Sequence, residues 1–232
     1  MVGEKIFEEW RVYEKLLIHD YMDHRSFFGG LQQYVTSHYH QPISILDLGC
    51  GDLTPILPLL QAVPLAHYTG IDESAGALDI AAKNLLALGI SGNLVNGDLL
   101  LELEALEQKF DLVVASFSLH HLADPAHKLR TLQAIESHLN SGGIFALIDV
   151  FCQDGEPRNE YIERWISHAD QRYESLLAEE KQLLFDHVRA RDYPVSQNHW
   201  RSLAAQSGLG DFRVMLQDSV ELNGLVGMMR PG

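Results

Sequence analysis

The stretch that decides the fold is ILDLGCGDL, residues Ile45 to Leu53. A run of strand-forming residues carries an acid, Asp47, and ends in two glycines, Gly49 and Gly51, that flank Cys50. Glycine lets the backbone turn sharply and lets a ligand approach where a Cβ would otherwise stand. A bare loop and a carboxylate at a strand end suit an adenosine cofactor. A tight strand-to-helix turn has the same signature, so the neighbouring segments have to separate the two readings.

Outward from this loop the chain alternates strand and helix from Ile43 to Phe151, which predicts a parallel sheet covered by helices on both faces. The strands are ISILDL, AHYTGID, NLVNGD, FDLVVASF and IFALIDVF. The helices are PILPLLQAV, with Pro55 early, then AGALDIAAKNLLALG, capped by Ser74 and ended by Gly89, then LLLELEAL and PAHKLRTLQAIESHL. The turn into the fifth strand is expected at Asn140 to Gly143.

The flanks read differently. Ile6, Trp10, Tyr13 and Leu17 fall at helical spacing, so residues 4–18 predict an amphipathic helix that docks by one face. Gly29 and Gly30 read as a hinge. Residues 153–192 are charged, rich in aromatics and helical in pattern, and their place suits a lid. The tail reads as a helix, NHWRSLAAQSG, and two strands, DFRVMLQD and SVELNGLVGMM. The expected organisation is a helical cap over 1–40, a cofactor-binding α/β core over 41–152, a helical lid over 153–195, and a helix and two strands over 196–232 that complete the core.

Composition narrows the function. The 232 residues carry 17 Lys+Arg against 32 Asp+Glu, a net charge of −15, which repels a phosphate backbone and argues against non-specific nucleic-acid binding. The two cysteines, Cys50 and Cys152, form no CxxC pair. The N-terminal residues lack a secretory apolar core, and no apolar run reaches the roughly 18 residues of a membrane span. A soluble, cytoplasmic protein is the expectation.

Two further acids stand at strand ends. Asp72 closes the second strand, 21 residues beyond Gly51, where a carboxylate accepts hydrogen bonds from both ribose hydroxyls. Asp98 closes the third, where it reaches an adenine amine or caps the next helix. The dinucleotide fingerprint GxGxxG needs a third glycine, but Asp52, Leu53 and Thr54 follow Gly51. Acids around the loop oppose a pyrophosphate and suit a cofactor with a sulfonium and an ammonium, which points to S-adenosylmethionine. None of the six lysines has a tyrosine four residues before it, as a short-chain dehydrogenase requires.

With these segments in order, the chain resembles the class I S-adenosylmethionine-dependent methyltransferases, in their small-molecule branch. ILDLGCGDL, YTGIDES, LVNGDLL, FDLVVASFSLHHL and LNSGGIFALIDVF are similar to the successive motifs of that family over about residues 43–151. The resemblance implies a doubly wound, seven-stranded, mostly parallel sheet whose last strand is inserted antiparallel. It assigns Asp47, Gly49 and Gly51, with Cys50 between them, to the methionine end of the cofactor. It assigns Asp72 to the ribose with Glu73 beside it, Asp98 and the Leu99 backbone to adenine, and Ser116 and Phe117 to the sulfonium side. It implies S-adenosyl-L-homocysteine as product.

A hydroxyl or ammonium acceptor needs a base, and His120 and His121, in SLHHLADPAH, are the candidates, with His121 preferred. The same pair serves equally as loop packing. His120, His121 and His127 cluster in sequence and Asp149 lies near the end of strand five, but no carboxylate set at ligand spacing accompanies them, so no metal is expected. Tyr21 and Arg25 precede the glycine pair in a segment that closes over the cofactor in similar proteins, with Arg25 pairing with the cofactor carboxylate or an acidic substrate, or else standing as a solvated arginine; Tyr161, Trp165 and His168 in the lid either line an apolar substrate pocket or pack helices, and Trp165 and His168 share a helix face. The expected partner is a small-molecule methyl acceptor, with no nucleic acid and no membrane. The amphipathic N-terminal helix docks on its own domain or on a second subunit, which makes a homodimer the alternative. Two other functions stay open: a relative that modifies the cofactor by carboxymethyl-type chemistry, and a non-catalytic cofactor-binding or partner protein.

Overall fold

The computed structural model describes residues 11–231. Seven strands form one sheet: β1 (Ile43–Leu48), β2 (Leu65–Asp72), β3 (Gly92–Asn96), β4 (Phe110–Ser116), β5 (Leu139–Val150), β6 (Gly210–Gln217) and β7 (Asn223–Met229). Their order is β3-β2-β1-β4-β5-β7-β6. The first five strands pair in parallel, and β7 enters antiparallel between β5 and β6. This is the fold expected from the resemblance. The chain direction across the sheet reverses between β1 and β4, and such a switch point opens a crevice at the carboxyl ends of the strands.

Side-chain alternation explains why the sheet is covered on both faces. Leu112 and Val114 of β4 join one core layer, while Val113 and Ala115 join the other. The first layer is closed by α2 (His24–His38), α3 (Leu57–Ala62) and α4 (Ala75–Ala87), through Phe27, Leu31, Leu59, Leu78 and Leu85. The second is closed by α5 (Leu99–Ala105), α6 (Pro125–His138) and α9 (Gln197–Ser207), through Leu103, Leu132, Ile135 and Trp200. Strands buried on both faces read as continuous apolar runs, which is why β1 and β4 stand out in the sequence.

A third apolar cluster lies outside these layers. Here α7 (Arg158–Arg172) and α8 (Ala178–Arg191) pack with α1 (residues 11–18) through Val12, Leu16, Tyr161, Trp165, Tyr173 and Phe185. Val150, the last residue of β5, and Leu222, just before β7, join it. The helical insertion and α1 therefore sit together over the carboxyl end of β5.

Several sequence expectations need correction. The buried face of α1 is Val12 and Leu16, not Tyr13 and Leu17, which stay half-buried; Ile6 and Trp10 lie outside the described residues. Gly29 and Gly30 are no hinge: both lie inside α2, and a Cβ on Gly30 would strike the Leu216 side chain, so the glycine lets the helix approach β6. The helix after the glycine loop covers only Leu57–Ala62, because Leu53 takes a left-handed φ of 70° and spends the preceding residues in turns. Asn140 to Gly143 falls within the span of β5 as an irregularity, with pairing resuming at Ile144 opposite Leu112. The last strand starts at Asn223 rather than Ser219. Asp218 explains this, because its carboxylate accepts the backbone N–H groups of Val220, Leu222 and Asn223 and folds residues 218–222 into a turn.

That turn yields a stability test. Leu222 and Asn223 are buried, so Asp218→Ala leaves their N–H groups short of an acceptor. Urea denaturation is expected to show a loss of about 1–3 kcal/mol, against about 0.5 kcal/mol or less for Ser219→Ala at an exposed position.

Candidate active site

The glycine loop is held from three sides. The N–H groups of Gly49 and Cys50 both donate to Ile71 O, at 2.8 and 3.1 Å. Asp72 at the end of β2 accepts the Gly51 N–H on Oδ2 at 2.8 Å and the Ser74 N–H on Oδ1 at 2.8 Å. Ser118 Oγ donates to Leu48 O at 2.8 Å. Gly49 has φ 74° and a Cβ there would lie 2.5 Å from Ser118 Cβ, so backbone angle and space both demand glycine. At Gly51, with φ 53°, the nearest atom to an added Cβ is the Tyr13 hydroxyl at 3.9 Å. Helix α1 thus brings a phenol over the loop, a contribution that nothing in the local motif signals.

The space beside this loop is electronegative. Asp47 is buried and accepts the Tyr68 hydroxyl at 3.0 Å. Burial pushes its carboxyl up to about 7; the Tyr68 hydrogen bond works against that rise and the charge of Asp72 adds to it. The Tyr13 phenol is pushed up by burial first and then by the charges of Asp52, Asp72 and Asp47. Burial also holds the Cys50 thiol protonated. Glu73 is exposed beside Asp72. Asp98 caps α5, its Oδ1 accepting the Leu100 and Leu101 N–H groups at 3.0 Å each, and Leu99 opens that helix half-buried. Ser116 ends β4, and Phe117 follows it at φ 50° with its N–H on Ile148 O at 2.7 Å.

On the other side of β4 the histidine pair meets two carboxylates. His120 is buried; its Nδ1 lies 2.5 Å from Asp149 Oδ1 and its backbone N–H donates to Asp149 Oδ2 at 3.0 Å. Its Nε2 faces Asp192 Oδ1 at 3.6 Å. His121 Nδ1 lies 3.5 Å from the same Asp192 oxygen and 3.3 Å from Arg191 O. Burial opposes charge on His120, but the carboxylates of Asp149 and Asp192 outweigh it and the net shift is upward. His121 shifts down, by desolvation first and then by the neighbouring His120. Asp192 arrives from the end of the helical insertion because the Tyr193 N–H donates to His120 O at 2.8 Å and Arg158 donates to Asp192 O at 2.5 Å.

The flanking candidates divide. The Tyr21 hydroxyl is bound to Ser175 Oγ at 2.9 Å and its ring stacks on Tyr173 at 4.3 Å, so it ties the α1–α2 turn to the insertion. Arg25 is exposed and its guanidinium donates to Ile18 O. Trp165 is buried in the third cluster, and His168 is half-buried with its ring 6.5 Å from Tyr173. Tyr161 differs: its hydroxyl is buried with no hydrogen-bond partner, and Asp192 and Asp149 act on it. Sequence reasoning missed Tyr13, Asp192 and His24. His24 is buried against Phe117 at 4.7 Å, its Nδ1 has no partner, and burial pushes its pKa down to about 4. Among the described residues no helix is long and apolar enough to cross a membrane.

Residues 45–143 match the model of a methyltransferase domain. A carboxy-S-adenosyl-L-methionine synthase of Campylobacter lari is 25% identical over 77% of this chain and 74% of its own length. A ribosomal RNA small subunit methyltransferase C of Haemophilus influenzae is 30% identical over 45% of this chain and 31% of its own. The chain spans as little as 24% of the length of one curated relative that it matches. Among solved structures, an S-adenosylmethionine-dependent methyltransferase from Clostridium acetobutylicum superposes with a TM-score of 0.66 over 98% of this chain and 100% of its own, at 12% identity.

Asp47 gives a pH signature. Its folded-state carboxyl titrates near 7, above the ordinary carboxylate range, so the unfolded chain releases this proton first as pH rises. The group therefore subtracts stability progressively between about pH 4 and pH 7 and stays costly above that. Asp47→Asn keeps an acceptor for Tyr68 and removes the charge. Thermal denaturation is expected to show the variant matching the parent chain near pH 4 and exceeding it by more than about 2 °C at pH 8. Equal midpoints at pH 8 would contradict the assignment.

Proposed function

We propose that this chain, a member of the class I S-adenosylmethionine-dependent methyltransferase family, transfers a methyl group to an O, N or C nucleophile of a small organic molecule. The observation that carries the reading is a two-glycine loop at the switch point of the sheet, flanked in sequence by Asp47 and Asp52, bound through the Gly51 N–H by Asp72 and approached by the Tyr13 hydroxyl. Backbone without side chains and three acids fit a cofactor with a sulfonium, an ammonium and a ribose, and disfavour a pyrophosphate. S-adenosylmethionine, when bound, supplies a methyl carbon already activated by positive sulfur.

The chain's own groups then have three tasks. Asp47, with Gly49, Cys50 and Gly51, holds the methionine end, and Asp72 with Glu73 holds the ribose. Asp98 and the Leu99 backbone take the adenine edge, and Ser116 and Phe117 bound the sulfonium side. Helices α1, α7 and α8 form a lid that excludes water and aligns the acceptor, which is most of what an in-line displacement asks of a protein. On the acceptor side stands the buried Tyr161 hydroxyl, as a hydrogen-bonding group; the downward shift of His121 by desolvation and by His120 weakens it as the base that the sequence suggested. Tyr21 and Arg25 support the lid rather than touch the acceptor, and Trp165 and His168 shape its inner packing.

A small acceptor is favoured over RNA by the roof of three helices and by the net charge of −15. One observation favours a second reading. The match to a carboxy-S-adenosyl-L-methionine synthase covers 77% of the chain, far beyond the glycine-loop region, so a reaction that modifies the cofactor itself is the alternative.

Product mass separates the two. Incubation with S-adenosylmethionine and a panel of small acceptors is expected to yield S-adenosylhomocysteine and an acceptor heavier by one methylene. A heavier cofactor with no S-adenosylhomocysteine, formed when a carboxyl-group donor is added to the mixture, would establish the second reading instead. Asp72→Ala is expected to weaken cofactor binding about tenfold or more in calorimetry, with circular dichroism showing the sheet retained while the glycine loop and the start of α4 lose their shared acceptor. Tyr161→Phe removes a buried hydroxyl that has no partner, so stability and cofactor affinity are expected to hold while kcat/KM for the acceptor falls about tenfold. Unchanged kcat/KM in Tyr161→Phe would remove that residue from the acceptor site.

A further inference from the structure

The geometry points to a binding site for one divalent transition cation of the zinc class, held by His120 Nε2, His121 Nδ1 and Asp192 Oδ1. It does not depend on the methyl-transfer reading.

The spacing argues for ligands rather than hydrogen bonds. Asp192 Oδ1 lies 3.6 Å from His120 Nε2 and 3.5 Å from His121 Nδ1. An N–H···O hydrogen bond spans about 2.7–3.2 Å. Donor atoms about 2.0–2.1 Å from a tetrahedral ion stand about 3.3–3.4 Å apart, close to the observed edges. All three atoms lie within 4.8 Å of one another.

Asp192 Oδ1 is the second, independent observation. Among the described residues it is buried with no hydrogen-bond partner, on a side chain 8% exposed, and it stands 3.6 and 3.5 Å from the two imidazole nitrogens. A buried carboxylate oxygen left unpaired is costly unless a cation completes it. The next shell is also built. Asp149 fixes His120 through Nδ1, which leaves Nε2 as the ligating nitrogen, the arrangement by which a carboxylate orients a metal-bound histidine. Two imidazoles and one carboxylate suit zinc, cobalt or iron(II) and offer too few oxygens for magnesium or calcium. His121, 40% exposed, gives the ion a path in, and metal entry displaces its Nδ1 proton from Arg191 O.

The sequence expectation of no metal rested on the lack of a nearby carboxylate. The fold supplies one from the far end of the insertion, and the ion ties that end to the loop after β4. Three protein ligands leave a fourth position open on a tetrahedral ion.

The test uses the tag-free full chain, stripped with chelator and titrated with zinc and with cobalt(II). One zinc per chain at micromolar affinity and a visible cobalt spectrum of tetrahedral intensity are expected. Asp192→Asn and His121→Ala are expected to weaken zinc binding at least tenfold and abolish that spectrum, while His127→Ala, at an exposed neighbour, changes neither. Since His121 is exposed, its variant keeps the test sound if Asp192→Asn fails to fold. No stoichiometric ion in the parent chain, or equal binding in His121→Ala, overturns the site and leaves His120 as an imidazolium between two carboxylates. Cofactor calorimetry on the stripped chain reads the methyltransferase assignment separately.

Discussion

Asp72 is the hinge pin of the structure. Its two oxygens accept the N–H groups of Gly51 and Ser74, so one carboxylate joins the loop after β1 to the start of α4. The loop cannot take its path without left-handed backbone at Gly49 and Gly51, and such backbone holds its place only when the surroundings over-determine it. Ile71 O, Ser118 and Asp72 do so together. The same carboxylate that shapes the loop is the one proposed to hold the ribose, so in that reading fold and site share one residue.

The electrostatics run against the stability of the empty protein. Burial moves the Asp47 carboxyl up to about 7, and the charge of Asp72 adds to that rise. A site that is strained by like charge when empty is relieved by a cation, which is how binding energy becomes selective for a positively charged ligand. The buried cluster at His120 repeats the pattern on the opposite side of β4, where Asp149 and Asp192 surround one imidazole.

Much of the fold was legible because parallel strands leave strong local marks. LDLGCG and FDLVVAS read as buried strands for the reason they pack, both faces being covered. The errors came where tertiary contacts decide. Gly29 and Gly30 look like a hinge in sequence, but both lie within α2, where a Cβ on Gly30 would displace the Leu216 side chain of a distant strand. The start of β7 is set by the side chain of Asp218. At the candidate site the acids at strand ends were legible by position. Tyr13 over the loop and Asp192 against the histidine pair were not, since each arrives from an element whose docking no local pattern encodes. The lid aromatics were legible as a group, and Trp165 and Tyr161 are buried in the same cluster; among the described residues the Tyr161 hydroxyl, left without a hydrogen-bond partner, separates them.

The central claim is that the glycine loop and its acids form a site for S-adenosylmethionine. Isothermal calorimetry of S-adenosylmethionine and S-adenosylhomocysteine against the purified chain tests it most directly. The account predicts one molecule of either per chain, with dissociation constants on the order of micromolar. A folded sample that gives no binding heat with either at several temperatures would contradict it and reduce the motifs to a scaffold.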